Sequence, residues 1–319
     1  MHRLQSRVAA FAAFFLLSAC GGGGGGAVSS TPPPPPPPSE LTYDSFPLTE
    51  SATFQTIAGV RSYVVAGNRR VDTFEVIGRN SGITFKYDAA SGSYAVTDAV
   101  TSATFDATHP STSGNFDSYA SASGTNSDEL RVYSNIRSGA SQVNAPVKLT
   151  YLSFGSWSHD DSASGEHRDS YFLSGYPTEA SDMPKTGSAS YSTAVTANGV
   201  TILAAQDEAQ IDGSATFTAN FADASVSTAL TLSLPGFGSP TYNGTGTISD
   251  NQFSGDFTTS SDPEFNSGSF AGGFFGPSAK EMGYTFTLSR GADDPYAGAT
   301  PRPPLAWIVG GVAGTKKSN

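Results

Sequence analysis

The chain has 319 residues, of which 17 are Lys or Arg and 28 are Asp or Glu, giving a net charge of −11. No basic run exceeds Arg69-Arg70 or Lys316-Lys317, which argues against nucleic-acid binding, because phosphate contacts need clustered positive charge. Cys20 is the single cysteine, so no intrachain disulfide can form.

Residues 1–19 read as a lipoprotein signal peptide. Arg3 and Arg7 give a positive start, and Val8 to Leu17 is an apolar core of about ten residues, short of the roughly 20 that span a bilayer. Leu17-Ser18-Ala19-Cys20 resembles a bacterial lipobox, in which cleavage falls before the cysteine and Cys20 becomes the lipidation site. Several acyl chains anchor firmly where one is marginal. An ordinary secretory signal with a chance cysteine is the other reading. By resemblance to Gram-negative lipoproteins, Gly21 rather than Asp after the cysteine favours export to the outer membrane. Residues 20–39 are the lipidated tether, with flexible Gly21 to Gly26 and stiff Pro32 to Pro38. Fully extended it would reach roughly 60 Å.

The remaining residues, rich in Gly, Ser, Thr, Tyr and Phe and only 14% charged over the whole chain, read as all-β with polar turns. Residues 40–185 are expected to form a β-rich handle. Its predicted strands are Thr73 to Ile77, Ile83 to Tyr87, Ser93 to Val96, Thr101 to Phe105, Glu129 to Tyr133 and Leu149 to Phe154, several of them alternating in polarity. Ser111 to Asp128, rich in Ser, Gly, Asn and Asp, is predicted to be a long exposed loop. Residues 186–319 are more regular. Predicted strands are Ser188 to Val195, Val200 to Gln206, Gly213 to Phe221, Ser225 to Leu234, Thr241 to Ile248, Gln252 to Thr258, Gly268 to Phe275, Gly283 to Leu288 and Leu305 to Val312. Short strands with tight connections make an antiparallel meander, and about eight of them close a small barrel filled by its own side chains. The stretch Ser-Ala-Thr-Phe recurs at Ser51, Ser102 and Ser214 at unequal spacings, as shared strand chemistry rather than a repeat.

Between two of these strands lies a corner, Gly272-Gly273-Phe274-Phe275-Gly276-Pro277, followed by Ser278 to Gly283. Gly276 and Pro277 would end one strand, because proline donates nothing to a ladder. Ser278 and Glu281 have the spacing of a capping box over one helical turn, with Phe274 or Phe275 packed into the barrel and Gly283 releasing the chain into the next strand. This segment resembles the "GGFYGPxAxExGGxF" stretch of barrel domains in the transferrin-binding protein B family. Val309 to Lys317 resembles that family's last strand, and Thr150 to Ser158 a segment at the transition into the barrel. Tyr284 departs from the pattern, which has Gly there. The resemblance covers roughly Leu149 to Lys317 and implies a single lobe of handle plus barrel. It also implies a surface lipoprotein whose loops bind haem, an iron-carrier protein or another macromolecule. Expected partners are the outer membrane, through the lipid, and a TonB-dependent receptor or surface export machinery.

His159, Asp160, Asp161, Glu166 and His167 form the densest polar cluster and are the metal-ligand candidates, a solvated hairpin tip being the plainer reading. His159, His167 or an exposed tyrosine are haem-ligand candidates. No nucleophile elbow, phosphate loop or cysteine metal motif is present in the sequence, so neither an enzyme nor a resident cofactor is expected. Two further readings stand beside surface capture: a periplasm-facing structural or assembly lipoprotein with no soluble ligand, and a membrane-embedded barrel. Ser and Thr on both strand faces disfavour the last.

Overall fold

The computed structural model describes residues 43–64, 70–79, 82–137, 146–201, 208–234, 238–291 and 306–318. These contain three β-systems. A four-stranded sheet has the order β1 (Ala52–Gln55), β4 (Thr84–Asp88), β5 (Ser93–Thr97) and β6 (Ser102–Asp106). A seven-stranded sheet runs β3 (Arg70–Ile77), β2 (Ile57–Val64), β11 (Glu166–Gly175), β10 (Leu152–Asp161), β9 (Asn126–Tyr133), β8 (Phe116–Ser123) and β7 (Ser111–Ser113). The rest is a closed antiparallel barrel: β12 (Ser188–Thr201), β13 (Glu208–Asn220), β14 (Ser225–Ser233), β15 (Thr241–Ser249), β16 (Gln252–Ser260), β17 (Phe265–Phe275), β18 (Glu281–Arg290) and β19 (Ala306–Lys316).

The all-β class and the eight-stranded barrel are therefore as the alternation in the sequence predicts. The handle is where the reading changes. Ser111 to Asp128 is not a long loop: it holds β7, β8 and the start of β9, closed by a tight turn in which Gly124 has φ +63°. In β8 only Asp117 and Tyr119 are buried, with Phe116 half-buried on the other face against Tyr133 and Phe154. A strand that buries so few side chains needs few apolar residues, so its composition imitates a loop. Strands β2 and β11 went unread for the opposite reason. Both are buried along nearly their whole length, and Gly59, Arg61, Arg168 and Asp169 interrupt the expected period. Part of the predicted strand Val200 to Gln206, residues 202–206, lies outside the described residues.

Three apolar clusters hold the assembly. One fills the barrel, with Phe217, Phe253, Phe270, Phe274, Tyr284 and Phe286 among its members. Another fills the space between the two handle sheets, around Phe85, Tyr94, Trp157 and Phe172. The third joins the large sheet to the barrel's outer wall through Ile57, Leu152, Phe154, Leu173 and Phe275. The approach is close: a Cβ on Gly59 of β2 would sit 3.1 Å from Val309 and 3.3 Å from Thr285. Further along the same strand, Arg61 donates to the Trp307 carbonyl at 3.3 Å and pairs with Asp169.

This docking gives the molecule two unlike ends. At one, the corner end, lie the short barrel turns at 221–224, 250–251 and 276–280, and Tyr43, where the described chain begins, donates to Asp182 at 3.0 Å. At the other, the loop end, lie the barrel turn 261–264, the ends of β12, β14 and β18, and the handle turns 98–101, 124–125 and 162–165.

Candidate functional site

Among the described residues the barrel interior is filled by its own side chains. Aromatic rings pack centroid to centroid at 5.0 Å for Phe217 and Phe253, and 5.2 Å for Phe253 and Phe274. Tyr284, where the resembled pattern has Gly, is fully buried and its hydroxyl lies 2.8 Å from that of Thr228. Outward positions of β13 to β16 carry Thr218, Ser227, Thr245, Ser254 and Asp256 instead. Apolar inside and polar outside is the reverse of a membrane barrel.

The candidate site is therefore the surface at the loop end. At the barrel mouth, the turn between β16 and β17 folds inward and is fixed by Asp262. One carboxylate oxygen accepts from Tyr242 (2.9 Å) and Arg290 Nε (2.8 Å), the other from Arg290 Nη2 (3.1 Å) and the Glu264 amide (2.9 Å). Burial alone would raise the Asp262 pKa, but the Arg290 and amide bonds hold it below the ordinary carboxylate value. Charge-assisted bidentate bonds of this kind fix geometry as well as energy. Beside the turn is a depression of ≈ 470 Å³ lined by Ser239, Pro240, Ser261, Pro263 and Glu264.

The handle tips complete this end. The β10–β11 hairpin carries the residues that the sequence nominated for metal. Its register pairs His159 with Arg168, Asp160 with His167 and Asp161 with Glu166. Paired residues share a face and successive residues alternate, so His159 and His167 point to opposite sides. His159 is buried 2.8 Å from Asp128, which also accepts from Trp157 at 2.9 Å. His167 pairs with Asp160 and stacks on Tyr63. Asp161 accepts from Ser164 and Ala163 in the turn, which holds it down to about 2. Among the described residues no group of three or more His, Cys, Asp or Glu side chains is placed to hold a metal ion. The same hairpin is tied to the smaller sheet by Arg168, which donates to Asp98 at 2.6 Å. Asp98 also caps its own turn, accepting from Val100 and Thr101 at 2.8 Å. That turn presents Val100, 66% exposed.

At the far end the corner motif is a junction rather than a helix cap. Gly276, at φ +68°, turns the chain where a Cβ would lie 2.3 Å from Tyr151. Pro277 starts a single 3-10 turn, and Ser278 has φ +54° and no capping bond to Glu281. Instead Ser278 binds Asp182, and Glu281 reaches across to the handle, where its carboxylate accepts from the amides of Thr150 (2.6 Å), Tyr151 (2.9 Å) and Leu152 (2.8 Å). The capping-box reading fails because its spacing needs a right-handed helical turn, whereas Ser278 and Ala279 both have positive φ and Glu281 already begins β18. Phe274 packs inside the barrel as expected, whereas Phe275 faces outward onto the handle. Gly272 and Gly273 pair with Tyr284 and Gly283 in the wall behind it.

Residues 183–301 match the family model described as the C-lobe and N-lobe β-barrels of transferrin-binding protein B. This barrel is similar to the barrel domains of transferrin-binding protein B. Among solved structures, a transferrin-binding protein B double mutant from Haemophilus parasuis is 13% identical, with a TM-score of 0.39, covering 88% of this chain and 78% of that one. The isotype 1 protein from serogroup B Neisseria meningitidis is 12% identical, with a TM-score of 0.32 and coverage of 84% and 77%. A mutant from Actinobacillus pleuropneumoniae is 14% identical, with a TM-score of 0.38 and coverage of 82% and 100%. Comparison with curated proteins returns no match. Within the transferrin-binding protein B-like barrel, the sequence signalled the corner but not its partner strand. Asp262 and Arg290, 28 residues apart, left no local signal at all.

Proposed function

We propose that this protein is a lipid-anchored lipoprotein of the outer membrane surface that captures a macromolecular ligand on its loop end. The observation that carries the reading is the division of the two ends. The described chain begins at the corner end, beside Asp182, so a tether lipidated at Cys20 would leave from there. The barrel turn at 261–264 and the handle tips then face away from the membrane, on a scaffold with a filled interior. Loops on a rigid scaffold are the usual place for binding function. The role is binding rather than catalysis, because the polar side chains of this face are engaged in holding turns. By family likeness the ligand class is an iron-carrier protein or a haem-bearing protein, taken up beside a TonB-dependent receptor.

The test is capture by intact cells. Cells displaying the chain are incubated with iron-loaded transferrin and with haemoglobin, and bound protein is measured. The proposal expects one of them to be retained, and retention to be lost when residues 261–264 and 162–165 are both replaced by Gly-Ser. Retention that survives both replacements would move the site off the loop end. No retention of either, by cells that display the chain, would remove these two carriers as ligands.

A further inference from the structure

The Glu281 carboxylate is 1% exposed and holds three successive amides of a segment 129 to 131 residues earlier. Burying a carboxylate is costly unless it is paired or fully hydrogen-bonded. Among the described residues no cation pairs with it. The charged and titratable groups around it are turned elsewhere. Lys280 stands over the Tyr151 ring at 5.3 Å, and Lys316 donates to the Ser278 carbonyl at 3.3 Å. Asp182 accepts from Ser278 and from Tyr43.

The three amides lie where the chain enters β10, the central strand that links the handle tips to the junction. Leu152 and Leu173 pack against Gly283, two residues beyond Glu281, where a Cβ would lie 2.9 Å from each. A short side chain at 281 could not span from β18 to this segment, and a neutral one could not accept three donors. The rest of the junction combines apolar packing around Phe275 with the Pro177–Phe275 bridge, in which the Thr178 amide donates to the Phe274 carbonyl and the Gly276 amide to the Tyr176 carbonyl at 2.9 Å each. Among the described residues Glu281 is the one carboxylate in it that gathers three amides of the strand entering the handle.

We propose that Glu281 is the positioning residue that fixes the handle on the barrel, and so sets the spacing of barrel mouth and handle tips across the loop end. This role rests on the binding reading above for its purpose, but its geometry can be measured without any ligand.

The experiment uses the full chain with Cys20→Ala, Ala163→Cys and Ser239→Cys, both new cysteines spin-labelled, and reads the distance distribution between hairpin tip and barrel mouth. The expected result is one narrow distribution, clearly broadened by Glu281→Ala and broadened less by Glu281→Gln, which keeps one acceptor oxygen. Should Glu281→Ala not fold, hydrogen exchange on Glu281→Gln decides. Thr150, Tyr151 and Leu152 amides should exchange about tenfold faster or more, as for donors left short of an acceptor, with the Phe270 amide of the barrel unchanged. An unchanged distribution in a folded Glu281→Ala, or equal acceleration at Phe270 and Leu152, would overturn the assignment and leave Glu281 as ordinary stabilisation. Ligand capture that fails while the spacing responds as described would count against the binding reading alone.

Discussion

Glu281 also carries a pH signature. Burial pushes its pKa up from 4.5 to about 6, against the lowering effect of the three amides and Lys280. A group whose folded pKa is raised contributes stability that is full below its unfolded value and is lost as pH rises through the folded one. The contribution should therefore be present below pH 4.5 and fade through about 6. The difference amounts to about 2 kcal/mol, from 1.36 kcal/mol per pKa unit. Chemical denaturation across this range should show that slope in the wild type and a flatter one in Glu281→Gln. A wild-type stability that rises through the same window, or an unchanged slope in the variant, would contradict the environment assigned to Glu281. Asp262 acts in the opposite sense, since its depressed pKa contributes stability above the ordinary carboxylate value that is lost on acidification. Of these two residues, Glu281 was visible in the sequence as part of a motif but was given the wrong partner. A spacing of three suggests a cap only where the intervening residues are helical, and nothing local in the sequence signals the positive φ of Ser278 and Ala279. Asp262 was invisible, because its partners come from β15 and β18.

At the scale of elements, the barrel was legible because each strand buries one face against a core of aromatic rings. Phe217 and Ala219 on β13, or Val226 and Leu230 on β14, alternate with Thr and Ser. The handle was only partly legible. Its central strands touch apolar surfaces on both sides, and its outer strand β8 buries only Asp117 and Tyr119 fully, with Phe116 half-buried on the other face. Neither case produces the period-two pattern that marks a half-buried strand. The corner between β17 and β18 makes the most exposed claim at this scale. Gly276 combines a positive φ with a Cβ position already occupied by Tyr151. Gly276→Ala should cost about 2–4 kcal/mol, combining backbone strain with a displaced ring. Thermal unfolding of the variant tests this. A loss below about 0.5 kcal/mol, the range of an ordinary surface substitution, would mean that the corner is not the tight junction described here.

For the whole molecule, function follows from which end faces outward. The fold sets a filled barrel beside the handle, with the start of the described chain at one end and the barrel mouth with the handle tips at the other. The closed barrel is the scaffold, and the arrangement of ends is what makes surface capture the function proposed for this chain. The sequence alone pointed to the lipobox, the tether and the barrel. It did not reveal that the handle tips and barrel mouth share an end, because that depends on β2 lying along β18 and β19. The most direct test is protease treatment of intact cells, with an antibody against the barrel and a periplasmic protein as control. The account expects the barrel signal to be lost while the control survives, and Cys20→Ser to release a soluble, folded body. A barrel protected until the outer membrane is breached would contradict it, and would point to a structural lipoprotein facing the periplasm.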